Sequence, residues 1–132
     1  MLITLDNLLL LDLTLDGLPP TVNHSYLSHG RIRFKSHDCK LYQNIVSSQI
    51  RSVWNNNNPY LKPVEFRIFL HSNDRKRWDI DNRVKALQDC LSLAGVLRDD
   101  SQIHILHVER VFSNAKCTHI SLLKISKEAL LS

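Results

Sequence analysis

A chain of 132 residues with 43% hydrophobic and 23% charged residues has ordinary globular composition, which argues against disorder and fits one domain over 1–132 with a single core. The formal charge of +4 is too small to name a polyanionic partner by itself, but it is gathered into two clusters, Arg31, Arg33, Lys35 and Arg75, Lys76, Arg77. Cys39, Cys90 and Cys117 lie far apart with no CxxC, which argues against a disulfide framework or zinc ribbon and fits a reducing cytoplasm.

The start, MLITLDNLLLLDLTLDG, lacks a basic run and is interrupted by Asp6 and Asp12, so neither a signal peptide nor a membrane span is expected. Over residues 3–15, Ile3, Leu5, Leu9, Leu11, Leu13 and Leu15 fall at odd positions and Thr4, Asp6, Asp12 and Thr14 at even ones. This period of two predicts a strand, with a break allowed at Asp6 and Asn7. Gly17, Pro19 and Pro20 stop it, a loop runs through LPPTVNHSYLSHG, and RIRFK (31–35) predicts a short strand.

From His37 to Val53, the spacing of Tyr42, Ile45, Val46, Ile50 and Val53 predicts a helix, ended by NNNNP. Val64, Phe66, Ile68 and Leu70 alternate with more polar positions and predict a second strand. A polar, basic connection over 72–78 leads to Ile80, Val84, Leu87, Leu91 and Ala94, the seam of an amphipathic helix that Gly95 is placed to end. Apolar runs at 102–112 and 117–125, separated by SNAK, predict a hairpin, and the tail reads as a short helix. The expected fold is therefore mixed α/β: a mixed sheet with two main helices, and a βαβ unit over 63–112 whose polar ends form a natural site.

The segment RKRWDIDNRVKALQDCLSLAGVLRDD (75–100) carries carboxylates at both ends and a tribasic run beside one of them. On a regular helix, Asp79 and Asp81 diverge by about 200°; in extended backbone the same spacing puts both on one side. They can therefore serve one site only if the helix starts at or just after Asp79. Asp81 and Lys85 then share a helical face. Asp100 lies beyond a helix of roughly 20 Å and must fold back to join them.

If these acids converge, hard oxygen donors of this kind suit Mg²⁺ or Mn²⁺ rather than zinc. Lys85 would then hold the attacking water or neutralise the charge of the pentacovalent phosphate, and Arg75, Lys76 and Arg77 would grip flanking phosphates. The plainer reading makes Asp79 an N-cap, Asp81 a first-turn anion, Lys85 a partner of Asp81 or Asp89, and Asp99 and Asp100 turn residues. Spacing leaves both readings standing. All seven histidines are taken as structural or surface residues, because His104 and His107 would face opposite sides of a strand with no Cys/His cluster nearby. Trp78 is expected to pack in the core, with a platform for exposed bases as the alternative.

At these residues the chain resembles the RusA family of Holliday junction resolvases of bacteria and their prophages. The family pattern is a basic stretch, D-x-D-N, a lysine one turn on, an alanine–glycine helix end and a paired D-D. Here it reads RKRW, DIDN, Lys85, LAGV and Asp99–Asp100. Upstream, PPTVNHSY (19–26) resembles the family's P-P-S-x-N-x-x-Y loop, with Thr21 in place of serine.

The resemblance implies that Asp79, Asp81 and Asp100 are metal-binding catalytic carboxylates and Lys85 the catalytic lysine. It makes Asn82 a supporting residue, and Asn23 and Tyr26 motif residues facing DNA beside the two basic clusters. It further implies a homodimer acting on four-way junction DNA with Mg²⁺ or Mn²⁺ in recombination and repair, since two symmetric nicks call for two related sites. Two other functions stand beside it: a non-catalytic junction or single-strand DNA-binding protein, and a metal nuclease acting on forks or flaps.

Overall fold

The computed structural model describes the backbone of residues 5–21, 26–29, 32–35 and 37–125, and the side chains of 7–21 and 37–125. A single helical turn, Leu5–Leu8, precedes strand β1 (Leu9–Asp16), so the predicted first strand begins later than its alternation suggested. Within β1 the odd positions turn inward as expected, with Leu11 and Leu15 buried. Strands β2 (Tyr26–His29) and β3 (Ile32–Lys35) pair antiparallel as a separate two-stranded sheet. Tyr26–His29 was predicted as loop; its partner across Gly30 and Arg31 gives it a ladder that four residues alone do not announce.

Helix α1 (His37–Trp54) buries Cys39, Gln43, Val46 and Ile50, a stripe stepping by four, three and four. Ile45 and Val53, expected on that stripe, are exposed instead, because the face centred on Gln43 is the one that meets the second helix. The Gln43 side-chain amide donates to the Ala86 carbonyl at 3.5 Å, and Arg51 Nη2 donates to the Leu93 carbonyl at 2.7 Å. Asn55, at φ 46°, ends α1 by donating its N–H to Arg51 O.

Strand β4 (Val64–Ser72) alternates as predicted: Val64, Phe66, Ile68 and Leu70 are fully buried, while Glu65, Arg67, Phe69 and His71 are half-buried on the opposite face. Each buried side chain contributes about 1.5–3 kcal/mol, and a one-residue slip would expose all four, so the register is strongly specified. A crossover through helix α2 (Val84–Leu93) returns the chain to β5 (Ile103–Phe112), which pairs parallel with β4. The βαβ unit is therefore present.

The predicted hairpin is not. Strand β6 (Cys117–Lys124) pairs antiparallel with β1 and β4, giving the sheet order β1-β6-β4-β5. Central positions suit β6, which sends Thr118, Ile120 and Leu122 into the core. Strand β5, with His104, His107, Glu109 and Arg110 exposed, has the composition of an edge. Both helices pack on the face of Phe66 and Ile68, forming the core with Val46, Ile50, Leu87 and Leu91. Among the described residues no helix is long and apolar enough to cross a membrane. The predicted helical tail lies outside the described residues.

Candidate active site

The chain leaves β4 through two side-chain-supported turns. Ser72 Oγ accepts from the Asp74 N–H at 2.9 Å, and Asp74 Oδ1 accepts from the Lys76 N–H at 2.8 Å. From the neighbouring strand, Arg110 Nη2 donates to the carbonyls of Asp74 (2.7 Å) and Lys76 (2.9 Å). The Trp78 ring packs against the core with the guanidinium of Arg110 3.9 Å from its centroid and that of Arg83 at 4.5 Å. Packing is thus its role here. Two cations already lie against the ring that a base would need.

Asp79 has φ −86° and ψ 133°, the extended backbone that its cooperation with Asp81 requires. The helix does not begin there. A 3₁₀ turn, Ile80–Arg83, comes first, held by the Asn82 N–H on Asp79 O at 3.2 Å, and α2 starts at Val84. Neither Asp79 nor Arg83 makes a side-chain cap, so the N-cap reading of Asp79 is not the one the chain adopts. Asp79 and Asp81 both stand in solvent, and Asn82 is half-buried.

Asp81 is not the ion-pair partner of Lys85. The 3₁₀ turn advances roughly 120° per residue and breaks the α-helical phase between the two. Lys85 Nζ instead lies 3.1 Å from Asp89 Oδ1 and 3.2 Å from Asp100 Oδ2. Its pKa is raised, first by the hydrogen bond to Asp89 against a smaller opposing effect of burial, and then by Asp100. Lys85 is therefore a firmly held ammonium at neutral pH.

Asp100 does fold back. Gly95, at φ +77°, reverses the chain after α2, with its own N–H on Ser92 O (3.1 Å) and that of Val96 on Leu91 O (3.0 Å). A second 3₁₀ turn, Asp100–Gln102, then sets Asp100 beside the helix it has just left, where Oδ1 accepts from Ser92 Oγ at 3.2 Å. Asp99 serves this turn structurally. Its carboxylate accepts from the Ser101 N–H at 3.0 Å, and Gln102 Oε1 accepts from the Asp99 N–H at 3.1 Å, completing a capping box. The hydrogen bonds from Ser101 hold the Asp99 carboxyl below its usual pKa.

The structure therefore unites Lys85 with Asp100, but it does not gather all three acids. Among the described residues no three His, Cys, Asp or Glu side chains form a group able to hold a metal ion. Asp100 lies along the side of helix α2, bonded to Lys85 in its first turn and to Ser92 in its last, and bonds neither Asp79 nor Asp81. Two of the histidines have carboxylate partners: His107 Nε2 lies 3.2 Å from Glu109, and His119 pairs with Asp12.

Of the predicted DNA contacts, Arg75, Lys76 and Arg77 are exposed, and the Arg75 guanidinium lies 5.5 Å from the Phe112 ring centroid. Asn23 and Arg31 lie outside the described residues, as do the side chains of Tyr26, Arg33 and Lys35. Sequence reasoning reached Asp89 only as one alternative partner of Lys85, through its i,i+4 spacing. It missed Ser92, Gln43, Arg83 and Arg110, whose roles depend on contacts across the fold. Gln43 Nε2 donates to Asp89 Oδ2 at 3.3 Å, which braces the carboxylate that braces Lys85.

A family model described as Endodeoxyribonuclease RusA matches residues 16–122 of this chain. Proteins named Crossover junction endodeoxyribonuclease RusA from Escherichia coli, Shigella sonnei and Enterobacteria phage 82 are similar to it. Each is 35% identical over 85 residues, covering 64% of this chain and 70% of the relative.

Proposed function

The chain belongs to the RusA family of endodeoxyribonucleases, and from that premise we propose that it resolves four-way DNA junctions by paired, symmetric nicks, acting as a homodimer with Mg²⁺ or Mn²⁺. The observation that carries this reading is the return of Asp100 to Lys85 across a separation of 15 residues. A protein that only bound DNA would gain nothing from carboxylates held near phosphate.

The donor chemistry, hard carboxylate oxygens, fits a cation of this kind, which keeps several waters of its own. Asp79, Asp81 and Asp100 are the residues that would hold it. Such an ion, when bound, polarises a scissile phosphate and lowers the pKa of the attacking water. The chain's own groups do the rest. Lys85, fixed by Asp89, presents an ammonium to charge developing on the phosphoryl oxygens. Asn82 supports the Asp81 segment through its backbone bond to Asp79. Arg75, Lys76 and Arg77 hold flanking phosphates in solvent-exposed positions. Two protomers related by a two-fold axis supply the two nicks.

Asp81→Asn is expected to abolish Mg²⁺-dependent cleavage of a synthetic four-way junction while leaving junction binding intact, because removing an anion does not weaken a cationic grip. Full cleavage by this variant would sink the assignment. Competition among junction, fork and linear duplex in the same assay tests the substrate.

A further inference from the structure

Beside the 3₁₀ turn that carries Asp81 lies a cavity of about 490 Å³ whose lining includes Gly17, Ser72, Asp74, Lys76, Arg83 and Lys116. Its cations come from three separate parts of the chain: the loop after β4, the end of the 3₁₀ turn, and the turn between β5 and β6. Two hydrogen bonds fix the Lys116–Thr118 segment against Gly17 at this cavity. Gly17, at φ +73°, donates its N–H to Lys116 O at 3.0 Å, and Thr118 Oγ1 donates to Gly17 O at 2.8 Å. Three cations thus face one lining carboxylate, and that one is already engaged. Asp74 Oδ1 accepts from the Lys76 N–H, and the charge of Asp74 acts on Arg83.

Arg83 is the unusual member. It is the C-terminal residue of the 3₁₀ turn, its guanidinium lies against Trp78, and its Nη1 donates to the Pro19 carbonyl at 2.7 Å. Its Nε is buried and has no hydrogen-bond partner. A buried donor left unmet is unfavourable, so an anionic oxygen admitted to it by a small side-chain movement would be favoured. Burial lowers the pKa of Arg83, Asp74 raises it and Arg110 lowers it again.

We infer that this cavity is a phosphate subsite for the DNA backbone, in which Lys116, Arg83 and Lys76 grip one phosphodiester next to the strand held at Asp79 and Asp81. The inference rests on the proposed reading that the chain acts on DNA, and it adds Lys116 and Arg83 to the contact surface. Lys116 makes no sequence cluster with other cations, and only the pairing of β6 with β1 and β4 brings it to this end of the sheet.

The test compares Lys116→Ala with Lys124→Ala. Both residues are exposed lysines flanking or ending β6, but Lys124 pairs with Val64 at the opposite end of the sheet. Binding of the full chain to a synthetic four-way junction is followed against salt concentration. Lys116→Ala is expected to flatten the slope of log K against log[salt] by about 0.9, the loss of one phosphate contact. Between 50 and 200 mM salt that is about a threefold smaller loss of affinity than for the parent chain. Lys124→Ala is expected to keep the parent slope.

Equal slopes for both variants, or an unchanged slope for Lys116→Ala, overturns the subsite. Arg83→Lys, which retains charge but lacks Nε, is expected to weaken binding at low salt without changing the slope. Parent-like affinity in that variant overturns the role given to Nε. If the parent chain binds junctions without nicking them in Mg²⁺, the proposed catalysis fails while the slope comparison still decides the subsite. Absence of any DNA binding overturns both.

Discussion

At the C-terminal end of α2, Gly95 turns the chain, backbone bonds from Gly95 and Val96 meet Ser92 and Leu91, and Arg51 takes the Leu93 carbonyl. The turn that follows is closed by the Asp99–Gln102 capping box, and Gln102 Nε2 reaches on to Tyr60 O at 2.7 Å and Lys62 O at 3.1 Å. At the N-terminal end there is no side-chain cap. The chain enters through a 3₁₀ turn with Asp79 and Asp81 in solvent. The contrast separates two jobs. One end is tied down by backbone and side-chain hydrogen bonds that fix where Asp100 lies. The other leaves the carboxylates of Asp79 and Asp81 exposed and uncapped, which suits the cation-holding role proposed for them.

Three perturbations sharpen this contrast. The largest effect is expected from Lys85→Met, which keeps the aliphatic stem and deletes the ammonium between Asp89 and Asp100. Turnover on a four-way junction should fall by about 10²–10³, the scale of losing one preorganised charge-stabilising group, with little change in junction affinity. A parallel collapse of affinity would show that Lys85 holds DNA instead of acting in chemistry.

A smaller effect belongs to the closed end. A Cβ at Gly95 would meet nothing within 4 Å, so Gly95→Ala tests the left-handed backbone alone. Destabilisation of about 1–2 kcal/mol in urea unfolding is expected. An unchanged midpoint would mean that this reversal does not depend on glycine.

The smallest concerns acid. The pKa of Asp99 is lower folded than unfolded, so its contribution to stability is complete well above the unfolded value near 3.9 and is lost as pH falls through the folded value. Asp99→Asn keeps an acceptor but does not titrate. The difference in urea midpoint between parent and variant should be constant above about pH 5 and shrink below it. A constant difference down to about pH 2 would remove the carboxylate from this role.

Much of this arrangement was legible along the chain. The alternation of β4, the seam Val84–Leu87–Leu91–Ala94 and the stop at Gly95 are local patterns whose period is set by backbone geometry, and they placed the βαβ unit correctly. Ile80, assigned to the same seam, is exposed because it lies in the 3₁₀ turn before the helix. Extended backbone at Asp79 was the condition under which the two acids could share a site, and the chain adopts it. The errors arose where partners lie far apart in sequence. Strand β6 was read as the hairpin mate of β5, yet β4 lies between them, because β6 carries a face apolar enough for the interior and β5 does not. Ile45 and Val53 were assigned to the buried face of α1, which the contact of Gln43 with α2 rotates elsewhere.

The order of chemical groups, from RKRW through DIDN and Lys85 to the paired acids, was determined by the sequence alone, and with it the family. Tertiary structure alone decided that Lys85 turns to Asp89 and Asp100 instead of Asp81, that Trp78 lies against two guanidiniums, and that Lys116 joins Arg83 and Lys76 around one cavity. The physical reason is range. Capping, alternation and helical phase act over a few residues, whereas the convergence of charges depends on which strands pair and on how each helix is rotated against the sheet.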